Sequence, residues 1–206
     1  MNKHLLLLIL FLLGLGISAI QPHDYFTWFL EVFPTIIGCM VLAATYKRFR
    51  FTDLVYWLIL IHCYILFVGG HYTYAEVPLF DRIRDTFQQS RNNYDKVGHF
   101  AQGFVPAMIV RELLIRKQVV QISGWRNFLT VCTCVAISAL YEFLEWGVAL
   151  GTGESADAFL GTQGYAWDTQ SDMLYATIGA ICAIVFLSRV HNRQINTVMS
   201  LPAVGR

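Results

Sequence analysis

The sequence predicts an all-α membrane protein, a bundle of about six transmembrane helices in one integral-membrane domain covering residues 1–206. Hydrophobic residues make up 56% of the chain and charged residues only 14%, whereas about 25% of a typical soluble domain is charged. Apolar stretches also recur at roughly the length of 20 residues that crosses a bilayer core of about 30 Å. A soluble domain is excluded. Nucleic-acid binding is not expected either, since 15 basic residues barely exceed 14 acidic ones.

Six apolar segments are predicted to span the bilayer. In order they are Leu5–Ile20, Phe26–Tyr46, Leu54–Val68, Val97–Leu114, Phe128–Leu150 and Met173–Ser188. The third and sixth are short and need their flanks to complete a span. Only short loops separate the segments, which favours one domain. For the first segment a secretory signal remains the alternative, because Lys3 precedes an apolar run and Ala19 is a small residue near its end.

The basic residues indicate how the chain is oriented. In a six-span topology 11 of the 15 lie on one side: Lys3, Lys47, Arg48, Arg50, Arg111, Arg116, Lys117, Arg126, Arg189, Arg193 and Arg206. Cytoplasmic loops carry the excess of Lys and Arg. We therefore expect a multi-pass protein of the cell inner membrane with both termini in the cytoplasm.

The stretch from Leu79 to Arg91 has a different pattern. Phe80, Ile83 and Phe87 recur among charged residues, as in an amphipathic helix that lies on a membrane surface. We predict such a helix there, serving as a lid or as a tether between spans.

Acidic residues collect on the side opposite the basic ones. In the same topology 12 of the 14 lie at or beyond the outer half of the membrane. Because Asp and Glu contribute little to membrane orientation, this asymmetry needs another reason. Function and plain solvation are the two candidates.

Three helix ends carry the acids that matter most. On the fourth span Asp95, His99 and Gln102 recur at helical spacing beside Lys96, the fifth carries Glu142 and Glu145 near its outer end, and the sixth begins with Asp168 and Asp172. Residues three and four apart share a helix face. These faces are predicted to meet in one pocket that opens outward, with His71 as a further contributor.

Helix direction separates ordinary acids from unusual ones. Asp95 and Asp168 stand where helices begin, so capping of free N–H groups can account for them. Glu142 and Glu145 lie towards the C-terminal end of their span, where the helix dipole disfavours anions. A buried acid costs about 2.5–3.5 kcal/mol on insertion scales and usually faces a bundle interior. Glu31, beside Pro34, is interpreted instead as an acid that reaches the membrane surface.

The acids of this pocket outnumber its cations, Lys96 and His99. The pocket must therefore hold protons or bind a cation. For a divalent metal the predicted ligands are Asp95, His99, Glu142, Asp168 and Asp172. The predicted catalytic groups are Glu142, Glu145, Asp172 and Lys96.

The same residues carry a family resemblance. The stretch YDKVGHFAQGF holds Asp95, Lys96 and His99, YEFLEW holds Glu142 and Glu145, and WDTQSDMLYATIGA holds Asp168 and Asp172. Over nearly its whole length the chain resembles the YjdF family of bacterial inner-membrane proteins, which implies a multi-pass inner-membrane protein and no particular reaction. The motif order is also loosely similar to VanZ-like proteins, but those typically carry Asn where this chain has Ala176.

Three functions fit the sequence. The first is a periplasm-facing enzyme that uses a divalent metal on a lipid-linked or envelope substrate. The second is a proton-coupled carrier, since intramembrane acids and His commonly relay protons. The third is a membrane scaffold or partner-binding protein in which the polar cluster locks helices together. The lipid bilayer is the only partner that the sequence identifies.

Overall fold

A computed structural model describes residues 3–152 and 162–200, and every regular element in them is a helix. The helices are α1 Lys3–Ser18, α2 Tyr25–Thr45, α3 Asp53–Tyr72, α4 Pro78–Thr86, α5 Tyr94–Arg116, α6 Ser123–Thr152 and α7 Asp168–Ser200. Arg206, which the predicted orientation counts among the cytoplasmic residues, lies outside the described residues.

Six of these helices coincide with the six predicted spans. Four of them, α2, α3, α6 and α7, are long and apolar enough to cross a membrane. The fifth, α1, is apolar but has only 16 residues. The sixth, α5, has 23 residues but carries charges at both ends. The prediction of an all-helical membrane bundle is confirmed.

Helix α5 lies at the centre of the bundle, packed against α3, α6 and α7. Its charged residues therefore face other helices rather than lipid, as expected for charges in a membrane span. Those that are buried are Asp95, Lys96, Arg111 and Glu112. The position of α5 explains why a helix with so many charges can occupy the interior of a membrane protein.

Two glycines bring α5 and α7 into backbone contact. A Cβ added at Gly103 would overlap the backbone carbonyl of Ala176, and one added at Gly179 would overlap the carbonyl of Phe100. Small residues at such crossings let membrane helices approach closely. This crossing sets the relative position of the polar residues at the ends of both helices.

An apolar layer fills the middle of the bundle. Val55 of α3, Met108 of α5, Cys134 of α6 and Ala183 of α7 are buried in one cluster. A second apolar cluster joins α1 and α2 to α3. The middle layer separates polar clusters at the two ends of α5.

At the end of the bundle that holds most basic residues, the buried carboxylate of Glu112 is the centre of a hydrogen-bonded cluster. Thr52 donates its backbone N–H at 3.0 Å and its hydroxyl at 2.7 Å, Arg116 donates at 2.8 Å, and His191 Nε2 lies 3.0 Å away. Arg111 donates to His191 Nδ1 at 3.2 Å. Since an arginine can only donate, Nδ1 accepts and Nε2 carries the proton that bonds Glu112. The pairing of His191 with Glu112 joins α7 to α5 at this end.

The acidic and basic ends are separated by about one membrane thickness. Asp172 and His191 stand 19 residues apart on α7, which is about 28 Å at 1.5 Å per residue. A bilayer core measures about 30 Å. The two polar clusters therefore fit the two boundaries of one hydrocarbon layer.

The predicted surface helix is shorter than expected. Helix α4 runs from Pro78 to Thr86, and Phe87, near its end, is exposed. The segment that follows is not helical and turns inward, so Arg91 is buried rather than part of a surface helix. The physical reason is that two carboxylates of the bundle receive its guanidinium.

Asp24 caps the start of α2. The backbone N–H of Thr27 donates to Asp24 Oδ2 at 2.6 Å, and this bond holds the pKa of Asp24 below its ordinary value of 3.8. Replacing Asp24 with Ala is expected to lower the free energy of unfolding by about 1 kcal/mol. Because the folded-state pKa is lowered, the contribution of Asp24 is present above the unfolded-state pKa and disappears as pH falls through the folded-state value. The free energies of unfolding of wild-type and Asp24→Ala protein, measured in detergent at pH 7 and pH 3, test this expectation. Asp24→Asn is the control and should be as stable as wild type at pH 7.

Candidate functional site

The acidic end of the bundle gathers the predicted site residues from three helices. The start of α5, the second half of α6 and the start of α7 meet there, and the α5–α7 crossing brings Asp95 and His99 beside Asp172. Asp95, Lys96, His99, Glu142, Glu145, Asp168 and Asp172 are all buried. We call this group, with Arg91, the acidic-end cluster.

Lys96 is the hub of the cluster. Its ammonium donates to Asp95 Oδ2 at 3.0 Å, to Asp168 Oδ1 at 2.7 Å and to Asp172 Oδ1 at 2.5 Å. An ammonium has three donors, so all three are used. This geometry suits a residue that positions carboxylates better than one that exchanges protons with a substrate.

Arg91 is the second cation of the cluster and was missed from the sequence. Its guanidinium bonds Asp168 Oδ1 at 2.5 Å and Asp95 Oδ2 at 3.1 Å. Asp168 therefore receives both cations. Only the i,i+4 spacing between Arg91 and Asp95 could have signalled this pair, and the assignment of Arg91 to the surface helix concealed it.

His99 lies between carboxylates of two helices. Its Nε2 is 3.1 Å from Asp95 Oδ1 and 3.7 Å from Asp172 Oδ2, while Nδ1 is 3.3 Å from Gln102 Oε1. Because an amide oxygen accepts, Nδ1 carries a proton. The lone pair of a neutral ring would then face two carboxylate oxygens, an arrangement that needs a positive charge between them, either a proton or a metal ion.

Asp95, His99 and Asp172 form the one group of three His, Cys, Asp or Glu residues in residues 3–152 and 162–200 that is placed to share a metal. One ligand atom from each lies within 4.8 Å of the other two. We call these residues the ligand triad. Of the other predicted ligands, Asp168 is paired with Arg91 and Lys96, and Glu142 lies on the far side of the imidazole.

The buried stripe on α6 is where its spacing predicts it. Ser138, Glu142 and Glu145 are all buried. Glu142 Oε1 lies 3.9 Å from His99 Nδ1 and accepts no hydrogen bond. Glu145 has neither a hydrogen bond nor an ion pair among the described residues. Within the described residues neither carboxylate pairs with a lysine or arginine, although Glu142 has Thr169 as a hydrogen-bond partner.

A cavity of about 190 Å³ adjoins the ligand triad. Its polar lining comprises Glu31, His62, Tyr74, Asp95, His99, Gln102, Tyr141 and Glu145. Gln102, which was predicted from the sequence to belong to the pocket, lines this cavity. The cavity is bounded by α2, α3, α5 and α6, so it lies inside the bundle.

Glu31 does not reach the membrane surface, which corrects its interpretation from the sequence. Glu31 is only 3% exposed, and the Tyr141 hydroxyl donates to its carboxylate at 3.4 Å. His62, for which the sequence indicated no partner, lines the same cavity. Neither residue lies on the three helix faces considered from the sequence, so only the tertiary structure, in which residues of four helices line one cavity, reveals them.

His71 is not brought to the cavity. Its Nδ1 lies 3.0 Å from the backbone carbonyl of Ser18, so it links the end of α3 to the end of α1. It is Gly70, the residue before His71, that packs directly against Glu31 and Trp28 of α2.

Acids far outnumber cations in this region. Six buried carboxylates, those of Glu31, Asp95, Glu142, Glu145, Asp168 and Asp172, surround two fixed cations, Arg91 and Lys96. An uncompensated buried charge is too costly to persist. The site must therefore retain protons, bind cations, or do both.

Comparisons with known proteins identify the family. Residues 3–193 match the family model described as "Predicted membrane protein (DUF2238)". The chain is 49% identical over 195 residues to the protein named "Inner membrane protein YjdF" of Escherichia coli (strain K12), which covers 95% of this chain and 92% of that protein. No solved structure matches the chain. The chain therefore belongs to the DUF2238 family of predicted membrane proteins, which includes YjdF.

Proposed function

We propose that the chain is an inner-membrane enzyme that binds a divalent cation at Asp95, His99 and Asp172 and acts on a lipid-linked or envelope substrate. The observation that carries the proposal is the ligand triad, three buried residues with ligand atoms within 4.8 Å of one another beside a cavity. The inner-membrane location is supported by the name of the relative from Escherichia coli.

The site is assigned to the periplasmic face. Lys3, Arg50 and Arg116 all lie at the end of the bundle opposite the ligand triad, joined there through Asp53 and the chain around Thr52. Since basic residues mark the cytoplasmic side, this arrangement supports cytoplasmic termini and an outward-facing cavity.

The distances within the triad suit one shared ion. Two ligands that each lie about 2.1 Å from a metal are about 3.0–3.4 Å apart at tetrahedral or octahedral angles. His99 Nε2 is 3.1 Å from the Asp95 oxygen, within this range, and 3.7 Å from the Asp172 oxygen, so Asp172 would have to move slightly closer to share the ion. Gln102 supplies the outer partner on Nδ1 that metal-binding histidines usually have. An imidazole with two carboxylates suits Zn²⁺, Mn²⁺ or Mg²⁺.

The remaining residues divide the work around the triad. A bound divalent cation would polarise a carbonyl or phosphoryl oxygen and lower the pKa of a water molecule. Lys96 and Arg91 hold Asp95, Asp168 and Asp172 in place. Glu142 and Glu145, which form no ion pair with a lysine or arginine of the described residues, are assigned to accept and return protons.

The apolar middle layer favours an enzyme over a carrier. A proton-coupled carrier needs polar groups that connect both faces. Between the ligand triad and Glu112 the buried residues of α5 include Val105, Ala107 and Met108, packed in the apolar cluster of α3, α6 and α7. A scaffold is the remaining alternative, and it requires no cation.

Metal analysis of a histidine variant tests the proposal. In protein gently extracted from its native membrane we expect near-stoichiometric divalent metal, and His99→Gln should lower it about tenfold or more, as loss of one of three ligands weakens such a site at least that much. The measurement is elemental analysis of monodisperse protein. His71→Gln is the matched control and should retain the metal, because His71 does not line the cavity.

Two results would contradict the metal site. One is wild-type protein without divalent metal, which would leave a scaffold held together by protons and ion pairs. The other is equal metal content in the His99→Gln and wild-type proteins. Thermal unfolding of each variant shows whether a loss of metal reflects a lost ligand or a lost fold.

A further inference from the structure

The cavity contains two carboxylates that form no ion pair with a lysine or arginine of the described residues. Glu31 and Glu145 both line it and are both more than nine-tenths buried. None of the ion pairs formed within the described residues includes either of them. The Tyr141 hydroxyl donates to Glu31 at 3.4 Å and the Tyr74 hydroxyl is its second hydrogen-bond partner, whereas Glu145 accepts no hydrogen bond within the described residues. An unpartnered, buried acid pointing into a cavity indicates a ligand that brings positive charge or donors.

We propose that this cavity binds a primary ammonium group, held between Glu31 and Glu145. The proposal rests on the proposed function in one respect, namely that the bound molecule is the substrate of the enzyme. Binding of the ammonium group itself does not require a metal. The ion pairs of Lys96 and Arg91 are formed with Asp95, Asp168 and Asp172 instead.

The rest of the lining favours an organic cation over a bare ion. Tyr74 and Tyr141 present aromatic rings, and Leu66, Pro34 and Ile137 add carbon surface. Aromatic faces attract ammonium groups, and apolar walls suit the carbon atoms attached to them. An anionic group would instead meet the carboxylates of Glu31, Glu145 and Asp95.

The size of the cavity fits a small group of a larger molecule. Sites for drug-sized ligands usually have volumes of about 300–1,000 Å³, whereas this cavity has about 190 Å³. It accommodates a headgroup and leaves the remainder of a lipid outside.

The walls of the cavity adjoin lipid. Phe33 precedes the lining residue Pro34 on α2, and Leu140 precedes the lining residue Tyr141 on α6; both Phe33 and Leu140 are exposed on the membrane-facing surface. The Tyr141–Glu31 hydrogen bond joins these two helices across the cavity. An aminophospholipid could keep its acyl chains beside α2 and α6 while its ammonium lies between the two acids.

An aminophospholipid headgroup also matches the two halves of the site. Its ammonium complements Glu31 and Glu145, and its phosphate complements a cation at the ligand triad, which shares Asp95 and His99 with the cavity lining. A soluble amine would satisfy only the first half. The shared chemistry is the ammonium group, and the source is decided by experiment.

The test compares two lipids that differ only in the headgroup. Purified full-length chain in detergent is given equal amounts of phosphatidylethanolamine and phosphatidylglycerol with identical acyl chains, and native mass spectrometry counts the lipid retained. We expect phosphatidylethanolamine to be retained about tenfold more, the factor that one charge-assisted hydrogen bond produces. In the Glu31→Gln, Glu145→Gln double variant the preference should disappear.

A matched variant and a soluble probe complete the design. Glu76→Gln removes one carboxylate that is 58% exposed and pairs with His23 outside the cavity, so the preference should persist. Delipidated protein is also titrated with ethanolamine in a calorimeter. If ethanolamine binds, if its binding depends on Glu31 and Glu145, and if the protein shows no lipid preference, the natural ligand is a soluble amine. Equal retention of both lipids by wild-type protein together with no ethanolamine binding would overturn the proposal, as would a preference that the double variant preserves.

Metal content measured on the same samples separates this inference from the proposed enzyme. The double variant keeps Asp95, His99 and Asp172, so its metal content should equal that of wild type. Metal without ammonium binding contradicts the ammonium site alone. Ammonium binding without metal contradicts the enzyme and leaves the ammonium site standing.

Discussion

Replacing Lys96 with Met is expected to lower the free energy of unfolding by about 3–5 kcal/mol, the usual cost of removing one partner from a buried ion pair. The ammonium bonds three buried carboxylates, and Met fills similar space without the charge. Of the two fixed cations only Arg91 would remain, and it pairs with Asp95 and Asp168 but not with Asp172. Unfolding of the detergent-solubilised protein by SDS, followed by circular dichroism, measures the loss.

An exposed pair provides the control for Lys96. Lys3 lies 2.5 Å from Asp53, but the two side chains are 58% and 48% exposed. Exposed pairs contribute about 0–1 kcal/mol, so Lys3→Met should change stability little. If Lys96→Met were no more harmful than Lys3→Met, Lys96 would not be the hub of the acidic-end cluster.

Replacing Gly103 with Ala is expected to disrupt the α5–α7 crossing and to cost about 3 kcal/mol, the upper end of the usual penalty for overpacking. The added Cβ would overlap the backbone of Ala176, and a backbone cannot rotate away as a side chain can. Helix separation would also move Asp95 and His99 from Asp172. We therefore expect metal content to fall together with stability, measured by SDS unfolding and elemental analysis.

Gly147→Ala is the matched control for the crossing. Gly147 lies within α6, and no atom outside its own neighbourhood lies within 4 Å of an added Cβ. Ala is favoured over Gly in helices by up to about 1 kcal/mol, so this variant should be as stable as wild type or slightly more so. Similar losses in Gly103→Ala and Gly147→Ala would contradict a close crossing as the feature that positions the ligand triad.

Lys96→Met and Gly103→Ala, the variants with the largest expected effects, both disturb the contact between α5 and α7. Lys96 joins the carboxylates of α5 and α7 electrostatically, and Gly103 lets the backbones of those helices meet. Metal content in Lys96→Met protein therefore also reports on the site. A folded variant that lacks metal would indicate that Lys96 positions the ligands, and Lys96→Arg should restore part of the binding because it retains the charge.

Much of the site could be predicted because helical periodicity is a local property. The spacing of Glu142 and Glu145 places both on one face of α6, and their position near the C-terminal end excludes a capping role. Asp95 and His99 share a face of α5 for the same reason. Polar residues on one face of a membrane helix must contact other polar groups or water.

The partners of those faces could not be predicted. Arg91 enters the cluster from a non-helical segment, where no periodicity exists to place it. Glu31 and His62 join the cavity because α2 and α3 pack near α5 and α6, and this packing depends on helices distant in sequence. Glu112 and His191, 79 residues apart, pair for the same reason.

The sequence by itself determined that the chain is a helical membrane protein, where its apolar helices lie and which acids solvation alone does not explain. Composition and periodicity decide these matters because lipid requires every backbone group to be bonded within its own helix. Only the tertiary structure decided that ligand atoms of Asp95, His99 and Asp172 lie within 4.8 Å of one another and that Glu31 and Glu145 line one cavity. That outcome depends on how closely Gly103 and Gly179 let α5 and α7 approach, a property of the packed pair that neither helix possesses alone.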